Sequence, residues 1–386
     1  MVTTRRQVRV PMKVLHLINS LSVGGAELHL LTLACQLKGL GVDTVVACLG
    51  ERAEGNRSLQ PNFERAGIRV VTLGAESKWD WRFLGKVPAL LKRESPDVLH
   101  THLPRADFAA LLGRLPYKST PWVSSVHGHS NAWFGRRLLP IFNLVWRQPD
   151  KLIAISREIK TWLVDQRRIP PDKIAVVHYG IEYERFSTKS APPFANSSNR
   201  PYPVIGSIGR LDPVKSHSTL IKAMPLILGE APRARLLIAG PDPHGYSTVL
   251  RSLISRLDLK EKVELVGVQT DIPAFLQSLD MFAFASRSEG FGQVIIEAMA
   301  AGRPVVASDI PPMNEIVIHD ETGILIKPSP QSFADAFLDL LKNHSKAPQM
   351  GESGKQRVQE HFSAQKMTEQ TMAIYEAVRN RSTFGR

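Results

Sequence analysis

The chain has 386 residues, of which 43% are hydrophobic and 22% are charged, and its formal net charge at pH 7 is +13. This length exceeds what one ordinary hydrophobic core occupies and predicts about two domains. The composition excludes a disordered chain and a disulfide-stapled secreted domain, because apolar residues are plentiful and the only cysteines are Cys35 and Cys48.

The first ten residues are basic and precede a short apolar run at residues 14–18, a pattern that is similar to a signal peptide. His16, Asn19 and Ser20 interrupt this pattern, however, and no small-residue cleavage site follows. The next apolar stretch, residues 138–146, is much shorter than a helix that spans a bilayer. We therefore expect a cytoplasmic protein with two buried, inert thiols and no transmembrane span.

Short apolar runs alternate with helical patterns through the first half of the chain. The predicted strands are residues 12–18, 43–49, 68–73, 98–101, 122–126 and 151–155. The first predicted helix, residues 26–38, has Leu28, Leu31 and Cys35 at helical spacing, and Gly39 ends it. Strands separated by helices of this length indicate a doubly wound parallel sheet.

Residues 187–203 are rich in proline, serine and asparagine and lack periodicity, which is typical of a linker. The same alternation then starts again. Predicted strands lie at residues 204–208, 236–239, 263–265, 281–285 and 304–307, with helices that include residues 216–228 and 292–301. A last helical pattern at residues 363–379 has no strand after it.

This organisation predicts two related α/β domains. The amino-terminal Rossmann-like domain would occupy residues 1–190, the carboxyl-terminal one residues 191–362, and a helical segment, residues 363–386, would pack back on the first domain.

The positive charge is concentrated in the amino-terminal half. Residues 1–190 contain 28 Lys and Arg against 16 Asp and Glu, so they hold +12 of the net +13. Such an excess favours an acidic partner, namely an anionic membrane surface, a phosphorylated acceptor or nucleic acid; a solvated basic surface without a specific role is the alternative. Residues 133–147 mix aromatic, aliphatic and arginine side chains, which suits either an anionic leaflet or a core helix.

The strongest candidate site is the segment 286–297, which follows a predicted strand and leads into a helix. Glu289 lies in the loop and Glu297 about two turns into the helix, so the two carboxylates can accept hydrogen bonds from ribose or sugar hydroxyls at two places on one ligand. Gly290 and Gly292 let backbone N–H groups approach an anion at the helix N-terminus. A solvent-facing glutamate pair beside an ordinary glycine turn is the alternative.

A second candidate follows the first strand of the second half, where Arg210 and Lys215 precede a helix. Arginine binds phosphate bidentately and lysine acts as a point charge, so this pair suits a diphosphate leaving group. No two aspartates in the chain are separated by a single residue, so an Asp-x-Asp cation clamp is missing and we expect no metal and no cofactor. A surface ion pair between Arg210 and Asp212 is the alternative.

Weaker candidates lie in the first half. Gly24 and Gly25 suit either a phosphate-binding turn or a plain tight turn, because the full GxGxxG spacing is missing. His127 follows a strand and precedes a glycine, which suits either a ring in a cleft or a structural histidine. Three further histidines also lie at strand ends: His100, His102 and His129. No carboxylate or cysteine joins these imidazoles at ligand spacing, which argues against a metal site.

Taken together, these segments resemble the retaining glycosyltransferases of family 4, which have the GT-B fold. The matching segments are GGAE at 24–27, VHGH at 126–129, AISREIK at 154–160, YGIEYERF at 179–186, GRLDPVK at 209–215, the loop and helix at 286–309, and ETGILIKP at 321–328. Their order and spacing extend from about residue 13 to residue 375. The resemblance implies two Rossmann-like, doubly wound α/β domains facing across a cleft.

The resemblance also implies a role for each carboxyl-terminal candidate. Glu289 would hold hydroxyls of the donor sugar, and Glu297 would hold the ribose. Arg210 and Lys215 would bind the diphosphate, and Val268 would lie near the base. The backbone of the glycine-rich loop would contact the donor through Gly290, Phe291 and Gly292.

For the amino-terminal half, the resemblance implies the acceptor site. Gly25 would approach the diphosphate from this domain, and His127 would lie near the transferred sugar. His127, Arg210, Lys215 and Glu289 are thus the predicted catalytic residues, and the others bind the donor.

The sequence therefore predicts a retaining, metal-independent hexosyltransferase that uses a nucleotide-diphosphate sugar, a UDP-sugar, and a glycan or lipid-linked acceptor in cell-envelope, lipopolysaccharide or exopolysaccharide synthesis. Peripheral contact with the inner face of the membrane and an anionic acceptor would suit its basic half. One alternative is a nucleotide-sugar epimerase or phosphorylase of the same fold. The other is a basic nucleic-acid-binding protein, which the 7% aromatic content and the lack of a recognised nucleic-acid motif disfavour.

Overall fold

The computed structural model describes residues 12–50, 58–75, 80, 82–129, 139–187, 202–343 and 345–384. The chain divides into two compact units: unit 1 is Met1–Gly180 with Ala364–Arg386, and unit 2 is Ile181–Ser363. The first unit thus ends at Gly180, whereas the predicted boundary follows residue 190. The predicted linker lies largely outside the described residues, as do residues 1–11 and residues 133–138 of the candidate membrane segment.

Unit 1 contains a sheet of seven parallel strands in the order β3-β2-β1-β4-β5-β6-β7. The strands are β1 Lys13–Ile18, β2 Asp43–Cys48, β3 Arg69–Thr72, β4 Val98–His102, β5 Trp122–Val126, β6 Lys151–Ala154 and β7 Ile174–Val176. The α-helices are α1 Gly25–Gly39, α2 Gln60–Arg65, α3 Lys86–Glu94, α4 Pro104–Gly113, α5 Leu139–Trp146, α6 Arg157–Arg167 and, at the carboxyl terminus, α15 Ala364–Phe384.

Unit 2 contains six parallel strands in the order β10-β9-β8-β11-β12-β13. They are β8 Val204–Ile208, β9 Arg235–Ala239, β10 Val263–Gly267, β11 Met281–Phe284, β12 Val305–Ser308 and β13 Ile324–Ile326. The α-helices are α7 Glu184–Ser187, α8 His217–Glu230, α9 Ser247–Arg256, α10 Ile272–Gln277, α11 Gln293–Ala300, α12 Met313–Ile316, α13 Pro330–Lys342 and α14 Lys346–His361.

Several strands appear in the sequence as uninterrupted apolar runs because nearly all of their residues are buried. All five residues of β4 and of β5 are buried, as are the last five of β1. Strands buried on both faces are typical of parallel sheets with helices on either side. The predicted strands are present with ends that differ by up to two residues, whereas β7 and β13 escaped prediction because three residues are too few to show a periodicity.

The carboxyl-terminal helix α15 is part of the core of unit 1. Met367 and Tyr375 of this helix belong to one buried apolar cluster with Val14, Leu33 and Val98. Unit 1 is therefore completed by a segment that lies far along the chain from its sheet.

In each sheet the strand order reverses at one strand, because strands that come later in the chain lie on both sides of it. This strand marks the switch point of the sheet. In unit 1, β2 and β4 lie on either side of β1, and in unit 2, β9 and β11 lie on either side of β8. Loops that leave the carboxyl ends of strands at such a switch point form a crevice, which is where open α/β sheets bind ligands.

A buried carboxylate ties α3 to the first residues of β1 and β3. Glu94 is 4% exposed, and its carboxylate lies 3.1 Å from Lys13 Nζ and 2.8 Å from Arg93 Nε. The Arg69 guanidinium pairs with both of its oxygens. These contacts, the Arg69 hydrogen bonds foremost, lower the pKa of Glu94 from 4.5 to about 2.

We expect Glu94→Gln to lower the free energy of unfolding by about 2 kcal/mol at pH 7, because three cations lose their counter-charge. Since the folded-state pKa is depressed, this stabilisation is present above pH 4.5 and is lost as the pH falls toward 2. Urea unfolding at pH 7 and near pH 3 measures the difference, and the exposed Glu64→Gln serves as the control. An equal loss at both pH values would contradict this assignment.

Candidate active site

The loops that follow the neighbouring strands β10, β9, β8 and β11 lie at the carboxyl edge of the unit 2 sheet. The loop after β8 contains residues 209–212 and a short 3₁₀ helix, Pro213–Lys215, and the loop after β11 contains residues 285–292. The sequence candidates of the carboxyl-terminal half therefore lie at one edge of one sheet, except Glu297, which lies in α11.

Close backbone contact fixes the loop after β8. Gly240, at the end of β9, has φ +147, and a Cβ atom there would lie 1.9 Å from the carbonyl oxygen of Gly209. Glycine is therefore required at position 240 both for its conformation and for the space. The backbone N–H of Gly209 in turn donates to Ala239 at 2.9 Å.

Arg210 forms the ion pair with Asp212 that the sequence offered as the alternative, with Nη2 3.2 Å from Oδ2. Asp212 Oδ1 also accepts from the backbone N–H of Lys215 at 3.1 Å, which caps the 3₁₀ helix. The Arg210 side chain is nevertheless 58% exposed. A guanidinium has five N–H donors, so the pair with Asp212 leaves donors for a ligand.

Lys215 and Glu289 contact each other directly. Lys215 Nζ lies 2.5 Å from Glu289 Oε1, and the two side chains are 19% and 12% exposed. This pair joins the loops after β8 and β11 across the switch point of the sheet. The structure thus brings together one cation and one carboxylate that the sequence assigned to different parts of the same ligand.

Glu297 is buried inside α11. Its carboxylate accepts a hydrogen bond from Gln293 Nε2 at 2.9 Å, one turn earlier in the helix. Burial raises the pKa of Glu297 from 4.5 to about 7, against the smaller opposing effects of the Gln293 hydrogen bond and the Arg185 charge. This carboxyl group therefore lies in an environment that stabilises its charge only partly.

The glycine-rich loop offers its backbone. Gly292 caps α11 with φ +99, and a Cβ atom there would lie 2.9 Å from Met313 Cε, so a larger residue would be strained. Phe291 is 2% exposed and packs edge-on against Phe362, with 5.9 Å between the ring centroids. Its side chain therefore belongs to the core.

Val268 lies apart from these groups along the same edge. It follows β10, two strands away from β8, and its side chain is 58% exposed. A position of this kind suits the far end of an extended ligand.

In unit 1, Gly24 caps α1 and Gly25 is its first residue. A Cβ atom at Gly25 would meet nothing within 4 Å, whereas one at Gly24 would lie 2.5 Å from Glu27 Oε2. Burial raises the pKa of Glu27 to about 7. The turn therefore has open space on its Gly25 side.

His127 follows β5 and is half-buried, and both of its ring nitrogens have partners. Nε2 lies 3.1 Å from His102 Nδ1, and Nδ1 lies 2.6 Å from the Tyr179 hydroxyl. Burial, and the nearby His29, hold the pKa of His127 well below its ordinary 6.5, so the ring is neutral. Both ring nitrogens are thus paired within unit 1, which is compatible with either alternative that the sequence left open.

The sequence did not predict that His16, His29 and Tyr179 would lie next to His102 and His127. His29 of α1 stacks on Tyr179 with 4.4 Å between ring centroids, and His16 Nδ1 lies 3.1 Å from His102 Nε2. The available signal was a polar residue inside an apolar strand: His16 interrupts the run that forms β1.

Within the part of the chain that the structure describes, three histidines of this cluster lie close enough together to suggest a metal site. His16, His100 and His102 can each place a nitrogen within 4.8 Å of the others. However, the two nitrogens of His100 lie 2.5 Å from the Tyr375 hydroxyl and 2.8 Å from Ser125 Oγ. Hydrogen bonds therefore account for the arrangement of this set, which contains no carboxylate.

Two family models match the chain. The model described as Glycosyltransferase Family 4 matches residues 23–185, and the one described as Glycosyl transferases group 1 matches residues 189–357. The chain belongs to the group 1 glycosyltransferases. It is therefore an enzyme, a transferase, and the GT-B architecture of two α/β domains predicted from the sequence is confirmed.

Two relatives of this glycosyltransferase match it over most of their own length. The N-acetyl-alpha-D-glucosaminyl L-malate synthase of Bacillus anthracis is 26% identical over 370 residues, which is 92% of this chain and 94% of the relative. The GDP-mannose:cellobiosyl-diphosphopolyprenol alpha-mannosyltransferase of Xanthomonas campestris is 25% identical over 82% of this chain and 83% of its own.

Solved structures show the same fold. The crystal structure of Anabaena HepE in complex with UDP superposes with a TM-score of 0.81 at 23% identity, over 95% of this chain and 100% of that one.

Within the described ranges, no helix of the glycosyltransferase combines the length and the apolar character that crossing a membrane requires.

Glu297→Gln should stabilise the ligand-free glycosyltransferase at pH 8, because the carboxyl group with a raised pKa must be ionised in a buried place. The destabilising effect of Glu297 is absent below pH 4.5, grows as the pH rises from 4.5 to about 7 and is constant above that, so the difference should vanish below pH 4.5. We expect a gain of about 2 kcal/mol at pH 8, or a few degrees in melting temperature. Thermal unfolding at the two pH values tests this; a variant that melts lower at pH 8 would refute it.

Proposed function

We propose that this enzyme transfers a hexosyl group, with retention of anomeric configuration and without a metal or other cofactor, from a nucleotide-diphosphate sugar to a glycan or lipid-linked acceptor of the cell envelope. The donor is a UDP-sugar. The observation that carries the proposal is the contact of Lys215 with Glu289, beside Arg210, at the switch point of unit 2.

The cations suit the leaving group. As the bond between the sugar and the diphosphate breaks, negative charge develops on the phosphate oxygen. Lys215 can give two of its three N–H donors to phosphate while the third remains on Glu289, and Arg210 can add a bidentate contact. These two side chains supply positive charge that would otherwise have to come from a bound cation.

The carboxylates suit the hydroxyls of the donor. Glu289 Oε2 is the oxygen not used by Lys215, and it can accept from a sugar hydroxyl next to the phosphate. Glu297 can accept from the two ribose hydroxyls, and these donors would stabilise its ionised form. Backbone N–H groups at Gly290, Phe291 and Gly292 add donors at the N-terminus of α11.

The base of the donor would lie at Val268, beyond the diphosphate along the sheet edge. Among the similar proteins, Anabaena HepE has been crystallised with UDP, and the Xanthomonas campestris relative is a GDP-mannose:cellobiosyl-diphosphopolyprenol alpha-mannosyltransferase. A panel of nucleoside diphosphates, read out by the rise in melting temperature, identifies the base for this enzyme. Stabilisation by GDP rather than UDP would change the base and leave the diphosphate site in place.

The acceptor side rests on unit 1. Residues 1–190 hold +12 of the net charge, which favours an anionic acceptor, such as a lipid-linked diphosphate glycan, and peripheral contact with an anionic membrane surface. In this proposal Gly25 faces the diphosphate and His127 lies near the transferred sugar. Flotation with anionic and with neutral vesicles measures the membrane contact.

Two substitutions separate the roles of the central pair. Lys215→Ala should weaken UDP binding and lower kcat/KM at least about a hundredfold, because the leaving group loses its cation. Glu289→Ala should lower kcat/KM by a similar factor and leave UDP binding equal or tighter, because the lysine is then free for phosphate. Calorimetry with UDP and nucleotide release with a donor and an acceptor measure the two quantities.

The exposed Lys222→Ala and Glu261→Ala are the matched controls and should behave as the parent enzyme does. Unchanged turnover in both active-site variants would remove the proposed site. Incubation of the donor without an acceptor distinguishes transfer from epimerisation, and the anomeric configuration of the product, read by NMR, tests retention.

A further inference from the structure

Helix α14 packs closely against α11, the helix that follows the glycine-rich loop at residues 285–292. A Cβ atom at Gly351 of α14 would overlap the carbonyl oxygen of Gly302, just after α11, and one at Gly354 would lie 3.4 Å from Met299 Cβ. Glycine at these two buried positions therefore lets the backbone of α14 approach the carboxyl-terminal end of α11. This close contact makes α14 a fixed support beside the loop and its helix.

Arg357 lies on α14 one turn after Gly354, is half-buried, and donates to the end of the one-turn helix α12. Its Nε donates to the carbonyl oxygen of Ile316 at 2.6 Å, and its Nη2 donates to that of Glu315 at 2.9 Å. The last carbonyl groups of a helix have no partner within the helix, so these two N–H groups satisfy them. The direction of both bonds is fixed, because a guanidinium only donates and a carbonyl only accepts.

Helix α12 in turn contacts the glycine-rich loop through Met313. This residue begins α12 and is completely buried. A Cβ atom at Gly292 would lie 2.9 Å from Met313 Cε and 3.4 Å from its Sδ, so the thioether packs directly against the Gly292 backbone. The Arg357 hydrogen bonds hold the other end of this short helix, and they therefore help to fix the surface on which Gly292 rests.

The same guanidinium reaches the loop by a second route. Arg357 Cζ lies 5.6 Å from the centroid of the Phe362 ring, which is within the range of a cation–π contact. Phe362 packs edge-on against Phe291, with 5.9 Å between the ring centroids, and both rings are buried. The two routes thus end at Phe291 and Gly292, which are adjacent in the chain.

We propose that Arg357 is a positioning residue for the glycine-rich loop: it fixes α12 and Phe362, and through them the backbone of Phe291 and Gly292. In this proposal Arg357 acts on the donor only through the loop. The consequence for the donor rests on the proposed function, which assigns this backbone to the donor, whereas the support of the loop does not. Hydrogen bonds to a ligand depend steeply on distance and angle, so a small displacement of the loop weakens them.

Two substitutions of different severity separate the contributions of Arg357. A lysine keeps the positive charge but lacks the planar group that donates to two carbonyls while its face lies on an aromatic ring. A methionine fills a similar volume and donates to neither carbonyl. We therefore expect Arg357→Lys to retain part of the support and Arg357→Met to remove it. If the methionine variant does not fold, the lysine variant alone makes each comparison below.

Hydrogen exchange of the full-length chain, read by mass spectrometry, tests the support of the loop without any ligand. We expect Arg357→Met to speed exchange at residues 286–297 about tenfold, and Arg357→Lys to speed it less. The matched control is Arg303→Met, because Arg303 Nη1 donates to the Leu279 carbonyl oxygen at 2.6 Å at the amino edge of the same sheet. Unchanged exchange at residues 286–297 in Arg357→Met, or equally fast exchange there in the control, would overturn the proposal.

Donor binding tests the consequence for the reaction. We expect Arg357→Met to raise the KM for the nucleotide sugar and the Kd for UDP, or for GDP if the melting panel selects it, about tenfold. The KM for the acceptor should not change. Arg303→Met should lower the melting temperature comparably and leave the donor KM as in the parent enzyme. A purely structural arginine would behave as Arg303 does, so an unchanged donor KM in Arg357→Met refutes the effect on the donor.

A double-mutant cycle tests the route through the aromatic rings. Because Arg357 and Phe362 act on the same loop, Phe362→Leu should weaken donor binding less in the Arg357→Met background than in the parent enzyme. Independent effects of the two substitutions would exclude this route. Faster loop exchange in Arg357→Met without a change in donor KM would leave the support of the loop standing and refute the part of the proposed function that assigns its backbone to the donor.

Discussion

Buried polar groups need hydrogen-bonding partners, and this requirement determines how side chains are arranged at the carboxyl ends of the strands in both units. In each unit, parallel strands end in polar or charged residues at a switch point, where apolar packing gives way to loops. The solutions differ in kind. Unit 2 pairs opposite charges, Lys215 with Glu289 and Arg210 with Asp212, whereas unit 1 pairs neutral imidazoles with one another and with tyrosines.

This difference determines what each edge can do. Paired ions keep their charge and can redistribute their hydrogen bonds to an anionic ligand, so the edge of unit 2 is suited to phosphate. Buried neutral imidazoles carry no charge to offer to an anionic ligand, and they interact through hydrogen bonds instead.

Glu297 departs from the rule that buried charges are fully compensated. The hydrogen bond from Gln293 offsets only part of the cost of its burial, and its pKa rises to about 7. Incomplete compensation of this kind costs stability in the free protein and is common where a ligand supplies the missing partners. The neighbouring residues of the helix, Ile295, Ile296 and Ala298, are apolar and buried.

Local patterns determined a large part of this structure. Short stretches of the sequence are enough to recognise the apolar runs that form the strands and the glycine turns that follow them. The motifs that show the family are short stretches as well, and they occur in a fixed order. What only the tertiary structure decided is which polar groups meet. Glu289 joins Lys215 across 74 residues, His102 joins His16 across 86, and Tyr375 joins His100 across 275. These contacts depend on which strands and helices pack together and in which register. The sequence around each residue therefore does not predict its partner.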